Sequence, residues 1–109
     1  NTLSYDERVQ RDERCTVERA AEVISGKWTT LILRDLLSGS KRFGELRASL
    51  AGISPKTLTD RLRELEAHGV VSRTVYPEVP PRVEYTLTDK GHALGAVIQA
   101  MAQWGEYWT

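Results

Sequence analysis

Residues 45–69 decide the fold, and they read ELRASLAGISPKTLTDRLRELEAHG. The apolar spacing up to Leu50 is typical of the end of a short helix, and Ala51-Gly52-Ile53 follows as a three-residue turn. Ser54-Pro55 then supplies a helix N-cap residue and a proline at the first helical position, where its missing N–H is harmless. A short helix, a glycine-containing turn and a second helix in this order predict a helix-turn-helix.

The helix that begins after Ser54 carries the candidate contacts to DNA. Leu58, Leu62 and Leu65 stand at i, i+4 and i+7 and form its buried stripe, and His68-Gly69 ends it. Short polar side chains near the start of such a helix can reach base edges in a major groove, while Lys and Arg contact phosphates or guanine. The side chains expected to serve this role are Ser54, Lys56, Thr57, Thr59, Asp60, Arg61 and Arg63.

The flanking sequence extends the motif to a winged helix-turn-helix, a mainly α fold with a small β-hairpin wing. Two helices, at about residues 17–24 and from Lys27 to Gly39, precede a short third helix that begins near Phe43. After Gly69 the apolar period changes to two, which predicts strands at 71–76 and 83–88 joined by the proline-rich tip 77–82. Arg82, beside two prolines, is expected to enter a minor groove. Lys41 and Arg42 are expected to contact the DNA backbone.

A last helix, predicted from Asp89 to Trp108, carries a candidate dimer interface. Its apolar residues step by three and four, as in the a/d seam of a coiled coil. Two of the three Trp residues lie here, and aromatic side chains are typical of interface cores. The seam residues are Leu94, Val97, Met101, Trp104 and Trp108. The alternative is that this helix only covers its own domain.

The composition limits the classes of protein to which the chain can belong. The 109 residues include fifteen basic and fifteen acidic side chains, a size that fits one domain and a formal net charge of zero. Nucleic-acid-binding domains are usually basic, but residues 41–63 hold six Lys and Arg against two acidic residues, so the predicted DNA-binding surface is locally basic. We expect no membrane span and no signal peptide, and the single Cys15 excludes an internal disulfide.

Several stretches together resemble the HxlR family of bacterial transcriptional regulators. The resemblance runs from about Cys15 to Trp108 and implies a dimeric DNA-binding regulator with a MarR-like architecture. It further implies that the helix matching 54–68 enters the major groove and that the wing matching 77–82 contacts the minor groove or its flanking phosphates. The stretches that carry it are 17–20, 24–28, 42–46, 52–58, 61–65 and 76–85.

Cys15 is a candidate redox or electrophile sensor. It stands at the predicted start of the first helix beside Arg14, where helix N–H groups and cations stabilise a thiolate. Some HxlR relatives sense oxidants or quinones through a cysteine near this place. The alternative is a small structural side chain. With one cysteine, a disulfide switch could only join two copies of Cys15 or join Cys15 to a small thiol.

No catalytic or metal-binding pattern accompanies these features. His68 and His92 lack partners at metal-ligand spacing, and neither a nucleophile elbow nor a phosphate-binding glycine loop is present. We therefore expect no enzyme activity, no cofactor and no metal.

The resulting interpretation is a cytoplasmic, nucleoid-associated homodimer that binds a pseudo-palindromic double-stranded DNA operator and controls a nearby stress- or metabolite-responsive gene. A small-molecule or oxidant effector would have to act within this fold. An N-terminal arm (1–15), a DNA-binding unit (16–91) and a dimerisation helix (92–109) divide the chain. The rival function is a winged-helix module that binds another protein instead of DNA.

Overall fold

A computed structural model describes residues 14–109; most of the expected N-terminal arm, residues 1–13, lies outside the described residues. Six helices and three short strands make up this part of the chain. They follow the predicted winged-helix order, which confirms the fold class. The elements are α1 (Thr16–Ile24), α2 (Lys27–Leu36), β1 (Lys41–Arg42), α3 (Phe43–Ser49), α4 (Pro55–Ala67), β2 (Val71–Tyr76), β3 (Arg82–Leu87), α5 (Asp89–His92) and α6 (Gly95–Trp108).

The three strands form an antiparallel sheet in the order β1-β3-β2. The wing hairpin pairs continuously from Val71 opposite Leu87 to Tyr76 opposite Arg82. The sequence did not predict β1, because two residues are too few to show an alternating pattern. Lys41 pairs with Tyr85 and Arg42 with Glu84, so the segment that leads into α3 is attached to the base of the wing.

The core lies where α2, α3 and α4 meet the base of the sheet. The predicted stripe of α4, formed by Leu58, Leu62 and Leu65, is almost completely buried. It joins a cluster whose other fully buried members are Ile32, Leu33, Leu36, Leu46 and Val70. Burying each such aliphatic side chain stabilises the fold by roughly 1.5–3 kcal/mol, so the apolar face of α4 determines which of its residues remain outside.

The prediction of one continuous helix from Asp89 to Trp108 was wrong. The chain forms a four-residue helix, α5, and then a tight turn at Ala93-Leu94 before α6 begins at Gly95. In that turn the N–H of Leu94 donates to the carbonyl of Gly91 at 3.0 Å, a three-residue step in place of the four-residue step of an α-helix.

The packing of Gly91 accounts for the break. A Cβ at Gly91 would lie 2.2 Å from the carbonyl oxygen of Val70, so only glycine allows α5 to approach the backbone of Val70 so closely. The hydroxyl of Thr88 caps α5 by accepting the N–H of Gly91 at 3.1 Å, and it donates to the carbonyl of Gly69 at 2.6 Å. α5 is therefore held against the end of α4, and α6 begins only after the turn.

Candidate nucleic-acid interface

The N-terminus of α4 is built as the sequence indicates. The Ser54 hydroxyl accepts the backbone N–H of Thr57 at 3.1 Å, and Pro55 occupies the first turn. Gly52 in the preceding turn has a φ of +93°, a left-handed conformation that suits glycine. Ile53, in the same turn, is buried, which holds the turn against the core. The start of α4 is thus fixed in position relative to α3.

Two of the basic residues on α4 are paired within the helix. Lys56 Nζ lies 2.8 Å from Asp60 Oδ2, and Arg61 Nη1 lies 2.8 Å from Glu64 Oε1. The hydrogen bond from Lys56 lowers the pKa of Asp60, and the charges of Lys56, Arg63 and Arg61 act in the same direction. The Lys56 side chain is 87% exposed. It therefore remains accessible to a phosphate, although its charge is partly balanced.

Arg63 differs from these pairs because no carboxylate within residues 14–109 forms an ion pair with it. It lines a groove of about 640 Å³ between α4 and the wing. Thr59 and Glu66 line the same groove from α4, and Arg73 lines it from β2. Arg73 is also exposed and has no ion-pair partner in the described part of the chain. The groove therefore presents two arginines against one carboxylate.

The sequence interpretation missed Arg73, although the pattern contained a signal for it. Residues 71, 73 and 75 share one face of β2, and Val71 on that face is buried against the core. At Arg73 the hairpin extends beyond the core. A charged side chain on the core-facing side of the strand therefore faces a neighbouring element at this point. Here that element is α4.

At the wing, the structure gives Arg82 ion-pair partners that the sequence analysis did not include. Its side chain is only 31% exposed, with Nε 2.8 Å from Glu78 Oε2 and Nη1 3.3 Å from Glu84 Oε2. The guanidinium also stacks over the ring of Tyr76 at 4.1 Å. The two carboxylates and the ring balance the charge within the hairpin, although the buried Nε atom makes no hydrogen bond within the described residues. Entry of Arg82 into a minor groove stays a prediction.

Lys41 and Arg42 lie on β1 at the entrance to α3. Lys41 Nζ donates to Ser38 Oγ at 3.0 Å, which holds the preceding turn, while the Arg42 backbone N–H donates to Glu45 Oε1 at 2.8 Å and so helps to begin α3. Arg42 is exposed, as is Arg47 in α3. Neither guanidinium has a carboxylate partner among the ion pairs of residues 14–109.

Cys15 occupies the N-cap position of α1, the location that the sequence predicts. Its Sγ accepts the backbone N–H of Glu18 at 3.4 Å, and the residue is exposed. Arg14 beside it forms an ion pair with Glu22. The thiol is therefore open to a reagent and lies at the positive end of a helix.

One face of α6 is apolar and exposed. Trp104 is 63% exposed, and most of the other predicted seam residues are exposed with it: Val97, Met101 and Trp108. Tyr107 belongs to the same surface. Leu94 is the exception, because it lies in the turn before α6 and packs partly buried against the core. Ile98, 8% exposed, is the residue by which α6 contacts the core of its own domain.

Neither a membrane span nor a metal site appears in the described part of the chain. None of its helices combines the length and apolar character needed to cross a bilayer. No group of three or more His, Cys, Asp or Glu side chains within residues 14–109 is arranged to hold a metal ion.

Comparison with known proteins agrees with the resemblance and with the geometry. A model for HxlR-like helix-turn-helix domains matches residues 23–109. The chain belongs to the HxlR-like helix-turn-helix family. This HxlR-like protein is 44% identical over 101 residues to the HTH-type transcriptional regulator YvaP of Bacillus subtilis (strain 168), which covers 92% of this chain and 94% of YvaP.

Solved structures show the same fold. The redox regulator HypR in its reduced form has a TM-score of 0.83 at 44% identity, covering 85% of this chain and 92% of HypR. A MarR-family transcriptional regulator from Porphyromonas gingivalis W83 has a TM-score of 0.85 at 39% identity, covering 91% of this chain and 97% of that one. The HxlR-like chain is therefore a winged helix-turn-helix transcriptional regulator.

Proposed function

We propose that the protein is a homodimer that binds a pseudo-palindromic double-stranded DNA operator through α4 and the wing. The observation that carries this proposal is the groove between α4 and β2. It sets two arginines without carboxylate partners, Arg63 and Arg73, beside a helix whose apolar side is fully buried. Arginines that lack internal partners are available for phosphate oxygens, and the capped start of α4 can then reach base edges.

Within this arrangement the residues divide by role. Ser54, Thr57 and Thr59 near the start of α4 would read base edges, and Lys56 with its partner Asp60 would contact a base or phosphate next to them. Lys41, Arg42, Arg61 and Arg63 would hold the phosphate backbone. Arg82 keeps its predicted place at the minor groove. Its ion pairs give it a second role, which is to set the shape of the tip that approaches the DNA.

A dimer is proposed through α6, with residues 92–109 as the dimerisation segment. The exposed face formed by Val97, Met101, Trp104 and Trp108 is contiguous along α6 and carries two Trp side chains, a composition typical of interface cores. Sedimentation at micromolar concentration should give the mass of two chains, and Trp104→Ala should shift it toward one. Val79→Ala is the control, since Val79 is equally apolar and fully exposed on the wing. A monomer, or a dimer that Trp104→Ala does not weaken, would contradict the proposal.

Operator binding is tested by selecting a sequence from random DNA and measuring its affinity over a range of salt concentrations. Phosphate contacts make the logarithm of the affinity fall linearly with the logarithm of salt concentration. Lys56→Ala and Arg82→Ala should abolish the operator shift and leave the dimer intact. If no sequence is enriched and no salt slope is found, the winged helix instead serves the rival function of binding another protein.

A redox or electrophile response through Cys15 is the second part of the proposal. The exposed thiol receives the Glu18 N–H at the start of α1, and the related HypR is described as a redox regulator. Diamide or quinone treatment should change operator affinity in the wild type but not in Cys15→Ser. Equal affinity of treated and untreated wild type would reduce Cys15 to a structural role.

The relatives are described as transcriptional regulators, which supports a role without catalysis or a cofactor. We place the protein with its operator in the cytoplasm, at the nucleoid. The nearby stress- or metabolite-responsive gene expected from the sequence remains part of this proposal.

A further inference from the structure

The ion pair between Lys56 and Asp60 lies at the centre of the outward face of α4. Leu58, Leu62 and Leu65 bury the opposite face against the core. At roughly 100° per residue, Lys56 and Asp60 lie almost directly opposite that stripe. Their Nζ and Oδ2 atoms are 2.8 Å apart, and the side chains are 87% and 41% exposed. A DNA groove that receives α4 would therefore meet this pair.

The pair is oriented against the helix dipole. Lys56 lies in the first turn, which contains no acidic residue, and Asp60 lies one turn later. The N-terminal end of a helix carries partial positive charge, so a carboxylate stabilises it and an ammonium group does not. An acidic residue N-terminal to a basic one is also the more favourable order at this spacing. Helix stability therefore does not account for the order of these two residues, whereas contact with an outside partner would.

The pair leaves a defined set of donors and acceptors for such a partner. The Lys56 ammonium group has three N–H donors, and one of them is used by Asp60, so two remain. The hydrogen bond from Lys56 lowers the pKa of Asp60, so at neutral pH this carboxylate is ionised and only accepts. Its Oδ1 atom makes no hydrogen bond or ion pair within residues 14–109. Two donors thus lie next to one open acceptor.

This set is complementary to a G·C base pair. In the major groove, G·C presents the N7 and O6 acceptors of guanine next to the N4 amino donor of cytosine. O6 and N4 are joined by the Watson–Crick N–H···O hydrogen bond, about 2.9 Å long, and Lys56 Nζ and Asp60 Oδ2 are 2.8 Å apart. A T·A pair presents a methyl group where G·C has its second acceptor, so one Lys56 donor would lose its partner.

We infer that Lys56 and Asp60 together read one G·C base pair in each half of the operator. Lys56 donates to guanine O6 and N7, and Asp60 accepts from cytosine N4. This inference rests on the proposed function, because it requires α4 to lie in the major groove. It gives Asp60 a role in specificity, although a carboxylate repels the phosphate backbone. Asp60 therefore weakens binding to unrelated DNA and strengthens binding to the operator.

The test uses the full chain and the operator that the wild type selects from random DNA. Each base pair of one half-site is replaced in turn, and affinity is measured by fluorescence anisotropy at one salt concentration. One G·C position should lose about 5- to 150-fold in affinity when it becomes A·T. Placing 7-deazaguanine there, which lacks the N7 acceptor, should by itself weaken binding. A half-site in which no G·C position matters, or in which N7 matters at no guanine, overturns the inference.

Two variants separate base readout from the effect of charge. Asp60→Ala removes a carboxylate from a surface that faces phosphates, so unrelated DNA should bind more tightly, while the preference for that G·C pair should fall about tenfold. Glu64→Gln is the matched control, because it removes another exposed and paired carboxylate from α4. It should tighten operator and unrelated DNA equally. If Asp60→Ala also tightens both equally, Asp60 acts through its charge alone and the inference is wrong.

Exchange of the two residues tests the argument from the helix dipole. The double variant Lys56→Asp with Asp60→Lys keeps the ion-pair spacing and restores the order that the dipole favours. It should unfold at no lower urea concentration than the wild type and yet lose the preference for G·C. A retained preference overturns the inference. Failure of the wild type to select any sequence refers to the proposed function, whereas a selected operator without these effects refers to the Lys56–Asp60 pair alone.

Discussion

Arg73→Ala should reduce the salt dependence of operator binding. Arg73 lies on β2, exposed, and lines the groove that Arg63 lines from α4. At this groove Arg63 and Arg73 would each neutralise one phosphate. Removal of Arg73 takes away one charge that no carboxylate of residues 14–109 balances, so its whole effect should appear at the DNA.

The magnitude follows from counterion release. Each neutralised phosphate contributes about 0.9 to the slope of log affinity against log salt, so two copies in a dimer contribute about 1.8. Between about 50 and 200 mM salt, this difference in slope corresponds to a factor of roughly twelve in affinity. The loss of affinity caused by Arg73→Ala should therefore be roughly twelvefold larger at the low salt concentration than at the high one.

Fluorescence anisotropy with a labelled operator at four or more salt concentrations would measure this slope. Arg34→Gln is the matched control, because Arg34 already pairs with Asp35 at 3.2 Å and does not line the groove. Sedimentation of each variant shows that the dimer persists. An Arg73→Ala slope equal to that of the wild type would refute the assignment of the groove to phosphate binding.

Three further predictions concern stability. Gly91→Ala places a Cβ 2.2 Å from the Val70 carbonyl oxygen and should lower the free energy of unfolding by about 2–3 kcal/mol in urea, whereas Gly44→Ala, with nothing within 4 Å, should not. Ser54→Ala removes the α4 cap and should cost about 1 kcal/mol by the same measurement. Lys56 lowers the pKa of Asp60 from its ordinary value of 3.8. The small contribution of this ion pair to stability is therefore present above pH 3.8 and is lost as the pH falls through the lowered pKa of the folded state. Asp60→Asn should therefore reduce the loss of unfolding free energy at acid pH. An unchanged pH dependence would show that the ion pair does not contribute to stability.

The sequence predicted α4 and its turn well because their signals are local. Ser54, Pro55 and Gly52 act on backbone atoms within a few residues, and the observed cap and positive φ are those that the residue types favour. The buried stripe of α4 can be predicted from the helical period of its leucines alone. Local chemistry and burial agree here, so the prediction was confirmed.

The break before α6 could not be read locally. It depends on the contact between Gly91 and the carbonyl of Val70, two positions whose proximity only the folded chain creates. β1 is similar, since its two residues are a strand only because β3 pairs with them. In both places, tertiary packing decided a backbone conformation that the residue pattern left open.

The candidate site was predicted in outline but not in its charge pairing. The four-residue spacing of Lys56 and Asp60 contains the information for their ion pair, and the structure forms it. The surroundings of Arg82 required the geometry of the hairpin, which brings Glu78 and Glu84 to the same guanidinium. Which arginines keep an unbalanced charge is therefore a property of the fold more than of the composition.

The pairing of Arg82 with Tyr76 across the neck of the wing has a consequence for how this regulator can change over evolution. The stacked pair, with the last rung of the β2–β3 ladder beneath it, closes the hairpin, and Glu78 beyond it adds an ion pair to Arg82. Residues 77–81 are exposed and belong to no core cluster, so residues of this tip other than Glu78 can be exchanged without disturbing the packed domain. The wing tip is thus an exchangeable segment on a packed domain, through which DNA preference can diversify while the fold stays the same.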